Sequence, residues 1–311
     1  MFVIREFLVS LGFFAASYCI LSLLVAGGWQ VWSRLQGRKM LGSARLLFAL
    51  RVFPLAASAF VTLFLAFPAF LLLESNAIDE DLGTLLFSVC GLLIIGAAIA
   101  RVISARATAS RVVSGWVRGA STLDAGAEVP ALQIRNGLPS VMLVGVSQPQ
   151  VLVSEHALSF LSGGELRVAV RHEIGHLRSR DNLKKLIFHA AVFPGMASLE
   201  AAWREAAEFA ADKHAVSSPQ EAVDLAAALV KMSEMAPVED VPAFTTGLVN
   251  VPGLLAVRVQ RLLTWNENDF HTFQSRLRYL LLLAFFPLLY VAVDYNRLLL
   301  LTHRMTEWFI H

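Results

Sequence analysis

Residues 161–188 read LSGGELRVAVRHEIGHLRSRDNLKKLIF, and RHEIGH (171–176) lies at their centre. Ser162 with Glu165 three residues on matches a capping box, a helix start in which side chain and backbone satisfy each other. Leu166, Val170, Ile174 and Leu177 then recur at helical spacing. The pattern predicts one helix over 163–187. On such a helix positions i and i+4 share a face, so His172 and His176 can turn their imidazoles towards one ion. Glu173, just after the first histidine, is placed to reach a water on that ion. A catalytic zinc needs three protein ligands and one open position. Two are supplied here, and the third must come from elsewhere.

The next helical stretch supplies it. Residues 197–215 carry Glu200, Glu205, Glu208 and Asp212. Glu208 and Asp212 are four apart and share a face. Glu208 is the expected third ligand. Asp212 is expected to accept a hydrogen bond from the far nitrogen of a zinc-bound histidine, which fixes the ring. A merely solvated acidic face does not explain why these acids stand in AAEFAAD, among small apolar residues. Glu205, one turn earlier, competes for the ligand role but has no acid four residues on. Asp181 reads first as a structural residue that fixes the helix end or holds Arg178 or Lys185, and stands with Glu205 and His214 as an alternate site residue. His156 and His189 read as ordinary histidines, and His214 as an alternate, a donor to the transition state.

Composition sets the surroundings. The chain has 311 residues, 56% hydrophobic and only 16% charged, with a mean hydropathy of +0.61. Soluble domains carry about 25% charged residues, so this is the composition of a membrane protein. A net charge of +2 gives no nucleic-acid footprint. Cys19 and Cys90 both fall in apolar runs and make neither a disulfide framework nor a thiolate metal site.

Four stretches suit a bilayer crossing of about 20 residues: 7–28, 52–73, 82–100 and, less cleanly, 279–302. The last must take in Asp294 and Arg297. The first is followed by GGWQVWSRLQGRK, an interfacial mix of tryptophan and basic residues, and reads as a retained anchor rather than a signal peptide. Arg34, Arg38, Lys39, Arg45 and Arg51 crowd the first connection. Glu74, Asp79, Glu80 and Asp81 crowd the second, and Arg101, Arg106, Arg111 and Arg118 the third. Positive residues stay inside, which predicts a cytoplasmic 101–277 and both termini outside.

Three parts follow: spans over 1–118, a folded domain over 119–277, and a last span with a short tail over 278–311. Within the domain, 141–146 and 150–155 read as neighbouring strands joined by a tight turn. Residues 186–203, broken by Pro194-Gly195, read as a bent segment on the membrane or as a buried hairpin. A third helix is expected over 219–236 and a short one over 257–265. Between them 237–253, with three prolines and two glycines, reads as a loop and a candidate lid. An extended substrate would pair with the edge of the 141–153 sheet.

At HEIGHLRSRDN (172–182) and EFAAD (208–212) the chain resembles the gluzincin metallopeptidases, most of all the BlaR/MecR-type antirepressor peptidases. VGVSQPQVLVSE is similar to the strand-turn-strand before their zinc helix. The HtpX and CAAX-prenyl-protease type is the nearest cousin. The resemblance implies a mainly α membrane protein with four transmembrane helices. A cytoplasmic α+β gluzincin zinc-metalloprotease domain would be inserted between helices 3 and 4. It further implies one zinc per chain, a bacterial inner-membrane location, and a cytoplasmic repressor or membrane protein as substrate. Only about ten residues follow the fourth expected span, so the external β-lactam sensor of those peptidases is not implied.

Overall fold

The computed structural model describes residues 2–36, 43–69, 82–123, 131–135, 141–235, 245–247, 253–266, 300 and 304. Three of the helices are long and apolar enough to cross a membrane. They are α1 (Phe2–Gln36), α2 (Ala44–Val61) and α3 (Leu82–Val117), with α2 running on through a π-helical turn, Thr62–Ala66, to Ala69. The first three predicted spans fall on them, the second as far as Ala69. All but Leu300 of the fourth, with Asp294 and Arg297, lies outside the described residues.

Lipid offers no hydrophobic drive between such helices, so small residues that let backbones approach decide the packing. A Cβ on Gly91 of α3 would lie 2.5 Å from the Leu11 carbonyl oxygen of α1. Beside it the Ser88 hydroxyl donates to the Leu8 carbonyl at 2.7 Å. At 36 residues α3 is about 54 Å long, well over the hydrocarbon thickness of roughly 30 Å. Arg101, Arg106 and Arg111 therefore stand on a continuing helix, not in the loop the sequence suggested. The last turns of α3 bring Val113, Trp116 and Val117 against a sheet.

That sheet has the order β1-β2-β4-β3-β5, from β1 (Ser121–Leu123), β2 (Ala131–Ile134), β3 (Val141–Val144), β4 (Gln150–Ser154) and β5 (Thr245–Gly247). The expected strand pair is β3 and β4, antiparallel, closed by a turn at Gly145, whose φ of 90° suits glycine. Side chains alternate between two faces. Met142, Val144 and Leu152 pack on α3, while Val141, Leu143, Val151 and Val153 face the helices of the domain. The expected open edge is absent: β3 lies between β4 and β5, so residues 245–247 of the chain itself pair with it. Residues 237–244 and 248–252 lie outside the described residues.

The domain helices are α4 (Glu155–Phe160), α5 (Gly163–Ser179), α6 (Asp181–Ala190), α7 (Ala197–Ala215), α8 (Pro219–Met235) and α9 (Leu255–Leu263). The helix expected over 163–187 is thus two helices. Arg180 adopts the left-handed conformation, φ 54°, and its N–H caps the carbonyls of His176 and Leu177. On an unbroken helix five residues would turn Asp181 about 140° from His176. The break turns Asp181 back towards it.

The 191–196 turn joins α6 to α7 and docks on α1 and α2. Arg51 and the Tyr18 hydroxyl both donate to the Ala191 carbonyl, and Phe193 meets Tyr18 edge to face. The buried Arg51 also pairs with Glu200 at 2.8 Å. Around them Ala26, Trp29, Leu47, Phe188, Leu199 and Trp203 form one apolar cluster, so membrane-length helices and domain share a core.

Candidate metal centre

The capping box opens α5 as predicted: Ser162 accepts from the Glu165 N–H, and Glu165 accepts from the Ser162 N–H. Lys231 of α8 binds the same Glu165. One side of α5 presents Val168, Val170 and Ile174 to the core. Another presents His172, Glu173 and His176, all but fully buried. Helix α7 crosses close by, because Gly175 leaves room. A Cβ there would stand 3.1 Å from Ala211 Cα and 3.2 Å from His214 Cβ.

This approach brings Glu208 to the histidines. His172 Nε2 and His176 Nε2 face each other at 3.2 Å. Glu208 Oε2 lies 3.4 Å from the first, and Oε1 lies 3.6 Å from the second. Zinc bonds of about 2.0–2.1 Å in a tetrahedron require ligand atoms about 3.3 Å apart. The spacing of the three side chains therefore fits a zinc ion, and they form a buried group that could hold a metal. Neither Glu205, one turn earlier on α7, nor His156, His189 or His214 belongs to that group.

Both far nitrogens face carboxylates. His172 Nδ1 lies 3.0 Å from Asp212 Oδ1, the partner the sequence suggested. His176 Nδ1 lies 2.8 Å from Asp181 Oδ2, a residue that reads first as structural in the sequence. Asp181 also holds Lys184 at 2.8 Å. Glu173 sits between helix and sheet, where its Oε2 accepts from the Leu143 N–H at 3.0 Å. Asn182 donates to the carbonyls of Leu143 and Gly145, fastening the start of α6 to the same strand.

A residue that sequence reasoning misses completes the arrangement. Arg258 of α9 is buried, with Nε and Nη2 donating to Asp212 at 2.8 and 2.6 Å and Nη1 lying 3.0 Å from Glu208 Oε2. It is 46 residues from Asp212 in sequence, and no local pattern announces it.

The charges respond to one another. Burial opposes ionisation of Glu208, but His176, His172 and Arg258 outweigh it and hold that carboxyl well below its usual range. Asp212 is lowered likewise, chiefly by Arg258 against burial. Burial also opposes charge on His176, yet Glu208 and Asp181 push it up to about 10 in the metal-free site.

No family model and no curated protein matches this chain. The chemistry of the centre therefore has to follow from its own geometry.

Proposed function

We propose that the chain is an integral-membrane zinc endopeptidase whose site faces the cytoplasm. One observation carries the reading. Two histidines and a glutamate converge at zinc-ligand spacing, each histidine is backed by a carboxylate, and a further glutamate stands beside the first histidine. Glu173, a buried carboxylate outside the ligand group, favours a catalytic over a purely structural site, while its Oε2 also ties α5 to β3.

Zinc, when bound there, supplies a polarised water and an acceptor for charge on the scissile carbonyl. Glu173, anchored through Oε2 on the Leu143 N–H, would take a proton from the water as its oxygen adds to the scissile carbonyl carbon, and would return that proton to the amine as the C–N bond breaks. Asp212 and Asp181, each at Nδ1 of one ring, would hold His172 and His176 with Nε2 left for the ion. A substrate strand that pairs with β3 has to take the place of Thr245–Gly247.

By resemblance, the role is regulated proteolysis of a cytoplasmic repressor or a membrane protein. A housekeeping protease of the HtpX type is the alternative within the same chemistry. A signalling scaffold with structural zinc is the alternative of another class.

The test is Glu173→Gln beside wild type, both purified full length and assayed for zinc and for cleavage of casein and of the chain itself. About one zinc per chain in both is expected, with cleavage at least about 100-fold slower in the variant. A variant that cuts as fast as wild type would sink the reading.

A further inference from the structure

We infer that Arg258 is a positioning residue of the metal centre: it holds Glu208 and Asp212 in the orientation in which Glu208 and His172 address one ion. This inference rests on the zinc reading above. Three guanidinium nitrogens are engaged by two carboxylates. Each carboxylate also faces a histidine, Glu208 at the Nε2 atoms and Asp212 at Nδ1 of His172. Arg258 thus stands directly behind both.

Two acids four apart on a helix repel each other, and more so when buried. With Arg258 between them they converge. Its planar fork can bind Asp212 through two nitrogens and still point a third at Glu208, which the single ammonium of a lysine cannot copy. The ligands lie on α5 and α7, whereas Arg258 comes from α9, beyond β5. The centre takes its final shape only when α9 is seated.

The competing account is that Arg258 merely fastens α9 to the domain. Other groups do that too. Arg261 stacks over the Phe209 ring at 4.0 Å, and Leu262 is buried in the core. Arg261→Ala therefore loosens the same helix without touching either carboxylate, and serves as the control.

The experiment uses the full chain in detergent. Zinc affinity is measured by competition with a chromophoric chelator, and the visible absorption of cobalt-saturated protein reports ligand geometry. Wild type, Arg258→Met, Arg258→Lys and Arg261→Ala are compared. Arg258→Met is expected to weaken zinc binding about 10–100-fold and to alter the cobalt bands, as loss of a group behind the ligands does. Arg258→Lys should fall between, and Arg261→Ala should match wild type in both readouts. Wild-type affinity and bands in Arg258→Met would overturn the inference, as would an equal loss in Arg261→Ala. Should the methionine variant not fold, Arg258→Lys decides: full wild-type affinity and bands there overturn it as well. A wild-type protein that takes up neither metal refutes the zinc reading itself, a result distinct from all of these.

Discussion

Asp181 stands to His176 as Asp212 stands to His172, and the pair of contacts gives the centre an internal symmetry. Asp181→Asn keeps the size and loses the charge, so zinc affinity should fall about 10–100-fold in chelator competition. The protonation state of His176 yields a second prediction. With its pKa at about 10, the metal-free site carries a proton on this ring at neutral pH. A ligand histidine must be neutral, so zinc has to displace that proton. Apparent affinity should therefore rise with pH, by about tenfold per unit between pH 7 and 9. An affinity flat over that range would contradict it. Glu208 was legible in the sequence because an acid follows it four residues on. Asp181 was not, because at five residues from His176 it belongs to the wrong side of any regular helix. Arg258 was not, because no motif or local spacing ties it to Asp212, 46 residues away.

Among the elements, the separation of α5 from α7 is set at one glycine. Gly175→Val puts branched carbon where Ala211 Cα and His214 Cβ already stand, so α7 must give way and carry Glu208 with it. Weaker zinc binding with little change in helix content, read by circular dichroism, is the expected outcome. The α5–α6 break depends on Arg180 at φ 54°. Valine there is strained and glycine is not, so Arg180→Val should unfold more readily than Arg180→Gly, by about 1–2 kcal/mol. The helices expected over 197–215 and 219–236 were readable from the spacing of their acidic and apolar residues, and stand at Ala197–Ala215 and Pro219–Met235. The break at Arg180 was not: no glycine or proline marks it, and the tertiary pull of Asp181 and Asn182 on His176 and β3 decides it. The edge strand β5 was hidden for a similar reason, since a loop rich in proline and glycine carries no strand pattern of its own.

At the scale of the whole molecule, the apolar runs were legible because a stretch of about twenty uncharged residues matches the hydrocarbon thickness of a bilayer and exceeds what most soluble cores bury in one helix. The joint between those helices and the domain was not. Arg51 and Glu200 are 149 residues apart, one at the end of an apolar run and one in the first turn of α7. Removing one partner of a buried pair leaves a charge uncompensated. Arg51→Met should lower thermal stability in detergent, by about 1–3 kcal/mol because Glu200 keeps some access to solvent. Adding Glu200→Gln should restore part of the loss.

The same helix that begins at this joint carries Glu208 of the candidate metal site. From Glu200 to Glu208 is eight residues, about 12 Å along α7. On the peptidase reading, α7 is then a ruler held at one end by the apolar bundle. A push on the bundle at Arg51 would then reach Glu208 through a single helix, with no loop between to absorb it.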